Sequence, residues 1–164
     1  MRMVLALLMV AVSAACAMGQ EATQAAAAAP IPTQIVAGKR AFISNAAGVE
    51  HVSAGMPEQT YNEFYAAMKS WGRYELVGAP ADADVVIEIR IAVIFDGGTQ
   101  AREFRVTMLD PKSRVVLWAL NERIQDASRQ ATARKNFEAA MGALVTNVKS
   151  LGGQPASAVT GGQK

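Results

Sequence analysis

The sequence predicts an α/β fold, an α+β two-layer sandwich in which β-α-β leads into a three-stranded antiparallel meander and a C-terminal helix. Three observations predict it. Residues 81–124 hold β-branched runs separated by two tight-turn sequences, Asp96-Gly97-Gly98-Thr99 and Asp110-Pro111-Lys112-Ser113. Residues 57–71 carry an aromatic stripe at helical spacing between two short strand-like segments. Residues 126–151 carry a second apolar stripe. Each helix has one apolar side and the meander has one, so the economical packing puts both helices on one sheet face.

In chain order, the first segment reads as an export leader. Arg2 is a short positive start, residues 4–12 are continuously apolar but too short to span a bilayer, and Ser13, Ala14, Ala15, Ala17 and Gly19 are small. Residues 1–19 are therefore expected to be a signal peptide, cleaved after Ala17 or after Gly19. A lipoprotein signal is the alternative, with Cys16 as the lipidated residue and lipid anchor. Either way the chain is exported, periplasmic or secreted, or held at the outer membrane as a lipoprotein, with no transmembrane span in the mature chain. Cys16 is the only cysteine among the 164 residues, which excludes an intramolecular disulfide and a cysteine-based zinc site.

Residues 20–38 are rich in Ala, with Pro30 and Pro32, and have few large apolar side chains to bury. They read as a disordered linker. The folded domain is expected over 39–151. It starts with a strand at 40–45, followed by a loop that contains His51. The first helix, 57–71, has Pro57 in its first turn, where the missing N–H costs nothing, and Gly72 just past its end. Tyr61, Phe64, Tyr65, Met68 and Trp71 form its stripe. A strand at 74–77 completes a βαβ unit.

The meander can be registered on paper. A two-residue Gly97-Gly98 loop pairs Ile91 with Phe104, Ile89 with Val106 and Ile87 with Met108, all on one face. Glu88, Arg90, Glu103 and Arg105 then share the other, with Arg90 opposite Arg105. The third strand has two registers. An even-length loop at Pro111-Lys112 places Trp118 and Leu120 on the charged face, whereas a three-residue loop buries Trp118. The last helix is capped by Asp126 or Ser128 and buries Phe137, Met141, Leu144, Val148 and Leu151. Gly152-Gly153 ends it, and residues 152–164 read as a disordered tail.

Charge and motifs narrow the function. A net charge of +2 with no basic cluster interleaved with aromatics excludes nucleic-acid binding as an expectation. The lone His51 has Ser44 and Ser53 nearby in sequence but no G-x-S-x-G elbow, so a small hydrolase using it is the secondary reading. Asp82 and Asp84 lack the ligand spacing of a calcium loop. Glu88 and Glu103 alternate with arginines and read as neutralised cross-strand pairs rather than an acid/base couple. The sequence predicts no metal, no cofactor and no catalytic residue. Glu88, Arg90, Glu103, Arg105 and Trp118 are the candidate partner-binding face, since Trp and Arg anchor many interfaces. Self-association through an edge strand is a further alternative.

Ala81-Asp82-Ala83-Asp84-Val85-Val86-Ile87-Glu88-Ile89, Leu109-Asp110-Pro111-Lys112-Ser113 and Val116-Leu117-Trp118 together resemble a pattern in small α/β domains of bacterial envelope proteins. These are the curli-secretion lipoprotein, the penicillin-binding-protein activator lipoprotein and the TolB N-terminal type. Arg114 stands where that pattern often has Gly. The resemblance covers about 39–151 and implies an exported, non-enzymatic binding or assembly module, whose partner is an envelope protein or polymer. It transfers no catalytic residue.

Overall fold

The computed structural model describes residues 29–46 and 54–153. The leader with Cys16, the His51 loop and residues 154–164 lie outside the described residues. The elements run α1 (Thr33–Ala37), β1 (Arg40–Asn45), α2 (Met56–Trp71), β2 (Glu75–Leu76), a 3-10 turn (Pro80–Asp82), β3 (Val85–Asp96), β4 (Thr99–Leu109), β5 (Val116–Ile124) and α3 (Gln130–Gly153). The strands form one five-stranded sheet in the order β2-β1-β3-β4-β5. β1 is parallel to both β2 and β3, and the meander β3-β4-β5 is antiparallel. This is the predicted two-layer α/β sandwich.

The β3–β4 register is the predicted one: Ile91 faces Phe104, Ile89 faces Val106 and Ile87 faces Met108. Gly97 and Gly98 both take positive φ at the turn, 58° and 86°, which is why two glycines stand there. Val85, Ile87, Ile89 and Ile91 of β3 and Phe104, Val106 and Met108 of β4 are buried with Phe64 and Met68 of α2 and Phe137, Met141, Leu144 and Val148 of α3. Phe104 and Phe137 meet edge to face, with centroids 4.9 Å apart. Thr60 is buried in the same stripe, and its hydroxyl has no hydrogen-bond partner among the described residues.

The domain begins earlier than the sequence suggests. Residues 33–37, expected to belong to a disordered linker, form α1, and Ile35 is fully buried. One large apolar side chain inserted into the core accounts for this, together with donors that satisfy the short helix's carbonyls. The Tyr74 hydroxyl donates to the Ile35 carbonyl at 2.6 Å. Arg73 donates to the carbonyls of Val36 and Gly38 on one side and of Gly152 on the other. The Arg73 guanidinium also lies 5.0 Å over the Tyr74 ring. Burial pushes the Tyr74 phenol above its ordinary pKa, partly offset by the Arg73 charge.

The far boundary shifts too. Gly152 and Gly153, expected to start the tail, are the last residues of α3. Gly152 is buried because Trp71 packs directly on it, where a Cβ would lie 2.6 Å from the Trp71 ring. α3 starts at Gln130, and the Arg129 carbonyl accepts from Ala133. The predicted cap Asp126 instead accepts from Arg102 at 2.9 Å.

Candidate functional site

Both long helices pack on one side of the sheet, and among the described residues no helix lies on the other. That second face is the candidate site. Its side chains follow from strand parity. Glu88 and Arg90 on β3 stand beside Thr107 and Arg105 on β4, with Arg90 opposite Arg105. Glu103 of β4 stands opposite Ala92 on one side and Arg123 of β5 on the other.

The charges are organised into pairs. Glu103 is only 5% exposed, and Val86, Ala92 and Ala101 on the same side of the sheet are 1 to 3% exposed. Its carboxylate accepts from Arg105 Nε and, at 3.3 Å, from Asn121 Nδ2. A carboxylate so withdrawn from water needs these donors, and the Asn121 bond also ties β4 to β5. Glu88 accepts from Arg114 Nη2 at 2.9 Å. Arg114 sits in the β4–β5 turn, so its side chain crosses β4 to reach β3. Among the described residues, Arg90, Arg105, Arg114 and Arg123 outnumber Glu88 and Glu103 on this face.

The turn that delivers Arg114 is built by Asp110. Its carboxylate accepts from the Lys112 backbone at 3.0 Å and from the Ser113 hydroxyl at 2.8 Å. Those bonds, the Lys112 one foremost, hold the Asp110 carboxyl below the usual carboxylate range. Arg114 has φ of 60°, the left-handed conformation that the glycine of the resembled pattern would take readily. The turn geometry is thus retained while an arginine gains a place over the sheet.

Trp118 does not belong to this face. The Asp110 N–H donates to the Val115 carbonyl, and Leu109 faces Val116, so the loop is the even-length one. One residue later the ladder slips: Met108 faces Trp118, leaving Leu117 as the extra residue of a bulge. Trp118 and Leu120 therefore pack against the core, and Asn121 and Arg123 turn outward. The slip places the two large apolar side chains under α3 and gives the Glu103 carboxylate its Asn121 donor. Sequence reasoning also missed Arg114, Asn121 and Arg123. Their signal was the alternation Ala119, Asn121, Arg123, legible only once the bulge is known.

On the helix side, a cleft of about 740 Å³ opens between the first turns of α2 and α3 and the base of the β3–β4 hairpin. Met56, Ile124 and Phe137 give it apolar walls, and Glu63, Arg102 and Arg134 rim it. Arg102 is bonded to Asp126, and Arg134 to Glu138 at 2.8 Å. Among the described residues no cluster of His, Cys, Asp and Glu could hold a metal ion, and no helix is long and apolar enough to cross a membrane. His51 and Cys16 lie outside the described residues.

No protein-family model matches the chain, and no curated protein sequence does. The resemblance to envelope lipoproteins therefore stands on the motifs quoted above. Among solved structures, the chain is similar to the PelC dodecamer of Paraburkholderia phytofirmans at 16% identity. That match covers 70% of this chain and 87% of the other, with a TM-score of 0.48. It is also similar to a DUF330-family protein of Xanthomonas campestris at 13% identity, covering 77% and 86%, with a TM-score of 0.45. Both likenesses are distant, and neither carries a function to this chain.

Proposed function

We propose that this chain is an exported, non-catalytic binding module of the bacterial envelope, and that the arginines of its second sheet face dock an anionic partner, protein or polymer. The observation that carries this reading is the arginine-rich face itself. A sheet face with charged side chains held in a fixed array, and with the helices on the other side, is suited to recognition. Reaction chemistry would instead need converging groups in a cleft. The leader sequence supports export, and the resemblance at Ala81-Asp82-Ala83-Asp84 and Leu109-Asp110-Pro111 supports an assembly or binding role.

Photo-crosslinking in living cells tests the face. A crosslinker at exposed Asn121 should yield a discrete adduct that a crosslinker at exposed Ala139 of α3 does not, and Arg123→Glu should weaken it. Equal adducts from both positions, or none from Asn121, would remove the face from consideration. Mass analysis of the mature N-terminus tests export: the reading expects a start at Met18 or Gln20, or a lipidated Cys16, and an intact Met1 leader contradicts it.

A further inference from the structure

The turn from β4 to β5 leads straight onto a sheet edge. β5 is the last strand in the order β2-β1-β3-β4-β5, so one side of its backbone has no neighbouring strand among the described residues. At its start, Lys112, Ser113, Arg114, Val115 and Val116 are five consecutive exposed residues. Val115 and Val116 are 59% and 55% exposed, two of the three exposed large apolar side chains among the described residues. A single exposed valine is ordinary. Here two stand together, directly after two cationic residues, where an edge strand offers unpaired N–H and C=O groups to an added strand. The one carboxylate in residues 109–117, Asp110, is taken up by the Lys112 N–H and the Ser113 hydroxyl.

Arg114 supplies a second observation. Its φ of 60° is a conformation that glycine takes freely and an arginine does not. What the side chain gains there is its bond to Glu88, in a pair whose side chains are 57% and 24% exposed. Exposed ion pairs contribute little to folding, so backbone strain kept for this one points to a use outside the fold. We infer that residues 112–117 dock an extended segment of another protein, acidic and apolar in composition, which adds a strand to the edge of β5. Arg114 exchanges Glu88 for a carboxylate of that segment, which its planar fork grips at two oxygens. Apolar side chains of the segment cover Val115 and Val116, one on each side of the added strand. A charged polysaccharide offers the carboxylate, but it has neither a peptide backbone to complete the edge nor apolar side chains to cover the valines. The inference rests on the docking reading above, because Arg114 reaches over the same face, and it narrows the partner to a protein.

Binding of labelled probes to the full chain as purified from cells, followed by fluorescence anisotropy, tests it. A short synthetic peptide alternating Glu and Val should bind about tenfold or more tightly than one alternating Lys and Val. It should exceed by as much the same Glu-Val peptide N-methylated throughout, which cannot donate to the edge. Arg114→Gly should weaken the Glu-Val peptide about tenfold and leave the denaturation midpoint unchanged or higher, because glycine takes a φ of 60° readily. Val116→Thr keeps the branched shape at an exposed position and should weaken binding about threefold or more. Equal binding of the three peptides, tighter binding of polygalacturonate than of the Glu-Val peptide, unchanged binding by either variant, or a lowered midpoint for Arg114→Gly overturns the inference. A discrete Asn121 adduct together with a peptide that shows no preference strikes this inference and leaves the broader docking reading in place. No adduct and no preference strikes both.

Discussion

Phe104 and Arg105 are consecutive residues of one strand with opposite fates. Phe104 is fully buried against Phe137 beneath the helices, whereas Arg105 keeps part of its side chain in water and holds the Glu103 carboxylate. One face of the sheet is secured by apolar burial, which is non-directional and tolerant of detail. The other is secured by paired charges, where each donor has a named acceptor. Substitutions on the first face should therefore cost by volume, and on the second by the partner left behind.

The largest expected effect is Phe104→Ala, which should lower unfolding free energy by about 4 kcal/mol in chemical denaturation. A loss below about 1 kcal/mol would mean that this face is less closely packed than the contacts imply. Next is Arg105→Ala, expected to cost about 2 kcal/mol, since it leaves the buried Glu103 carboxylate with Asn121 as its remaining donor. The double substitution Arg105→Ala with Glu103→Ala should recover part of that loss, and an additive result would break the pairing argument.

Thr60→Val comes third and has the opposite sign. The Thr60 hydroxyl is buried without a partner among the described residues, so the isosteric methyl should stabilise by about 1 kcal/mol, measured as a raised denaturation midpoint. The smallest is an acid effect at the rim of the sheet. The Asp84 carboxylate accepts from the Lys39 and Arg40 backbone at 2.9 and 3.0 Å, and these bonds hold its pKa below the ordinary aspartate range. Its contribution is therefore complete above the unfolded-state pKa and disappears as pH falls through the lower folded value. The stability gap between wild type and Asp84→Ala should be constant near neutrality and close only in strong acid. A gap that closes above pH ~5 would contradict the assignment.

Much of this architecture was legible in the chain. The pairing of Ile91 with Phe104, the Gly97-Gly98 turn, the βαβ unit and both amphipathic helices follow from local periodicity and turn chemistry. So did Glu88, Arg90, Glu103 and Arg105 on one face, because alternation with a period of two leaves them nowhere else. The bulge at Leu117 was not legible. It adds one residue to one strand, no turn residue announces it, and it reverses the face of Trp118, Leu120, Asn121 and Arg123.

Nor was α1 legible. A five-residue helix between a proline and a glycine has no period to detect, and what holds Ile35 in place are Tyr74 and Arg73, about 40 residues away. Sequence alone carries the elements and the sorting of side chains wherever neighbours along the chain dictate them, through dihedral preference and hydrophobic period. Tertiary structure alone settles the slip of β5, the capture of α1, and the Arg114 side chain lying across the sheet. Each of these depends on which distant group supplies the burial or the hydrogen bond, and no local pattern encodes that.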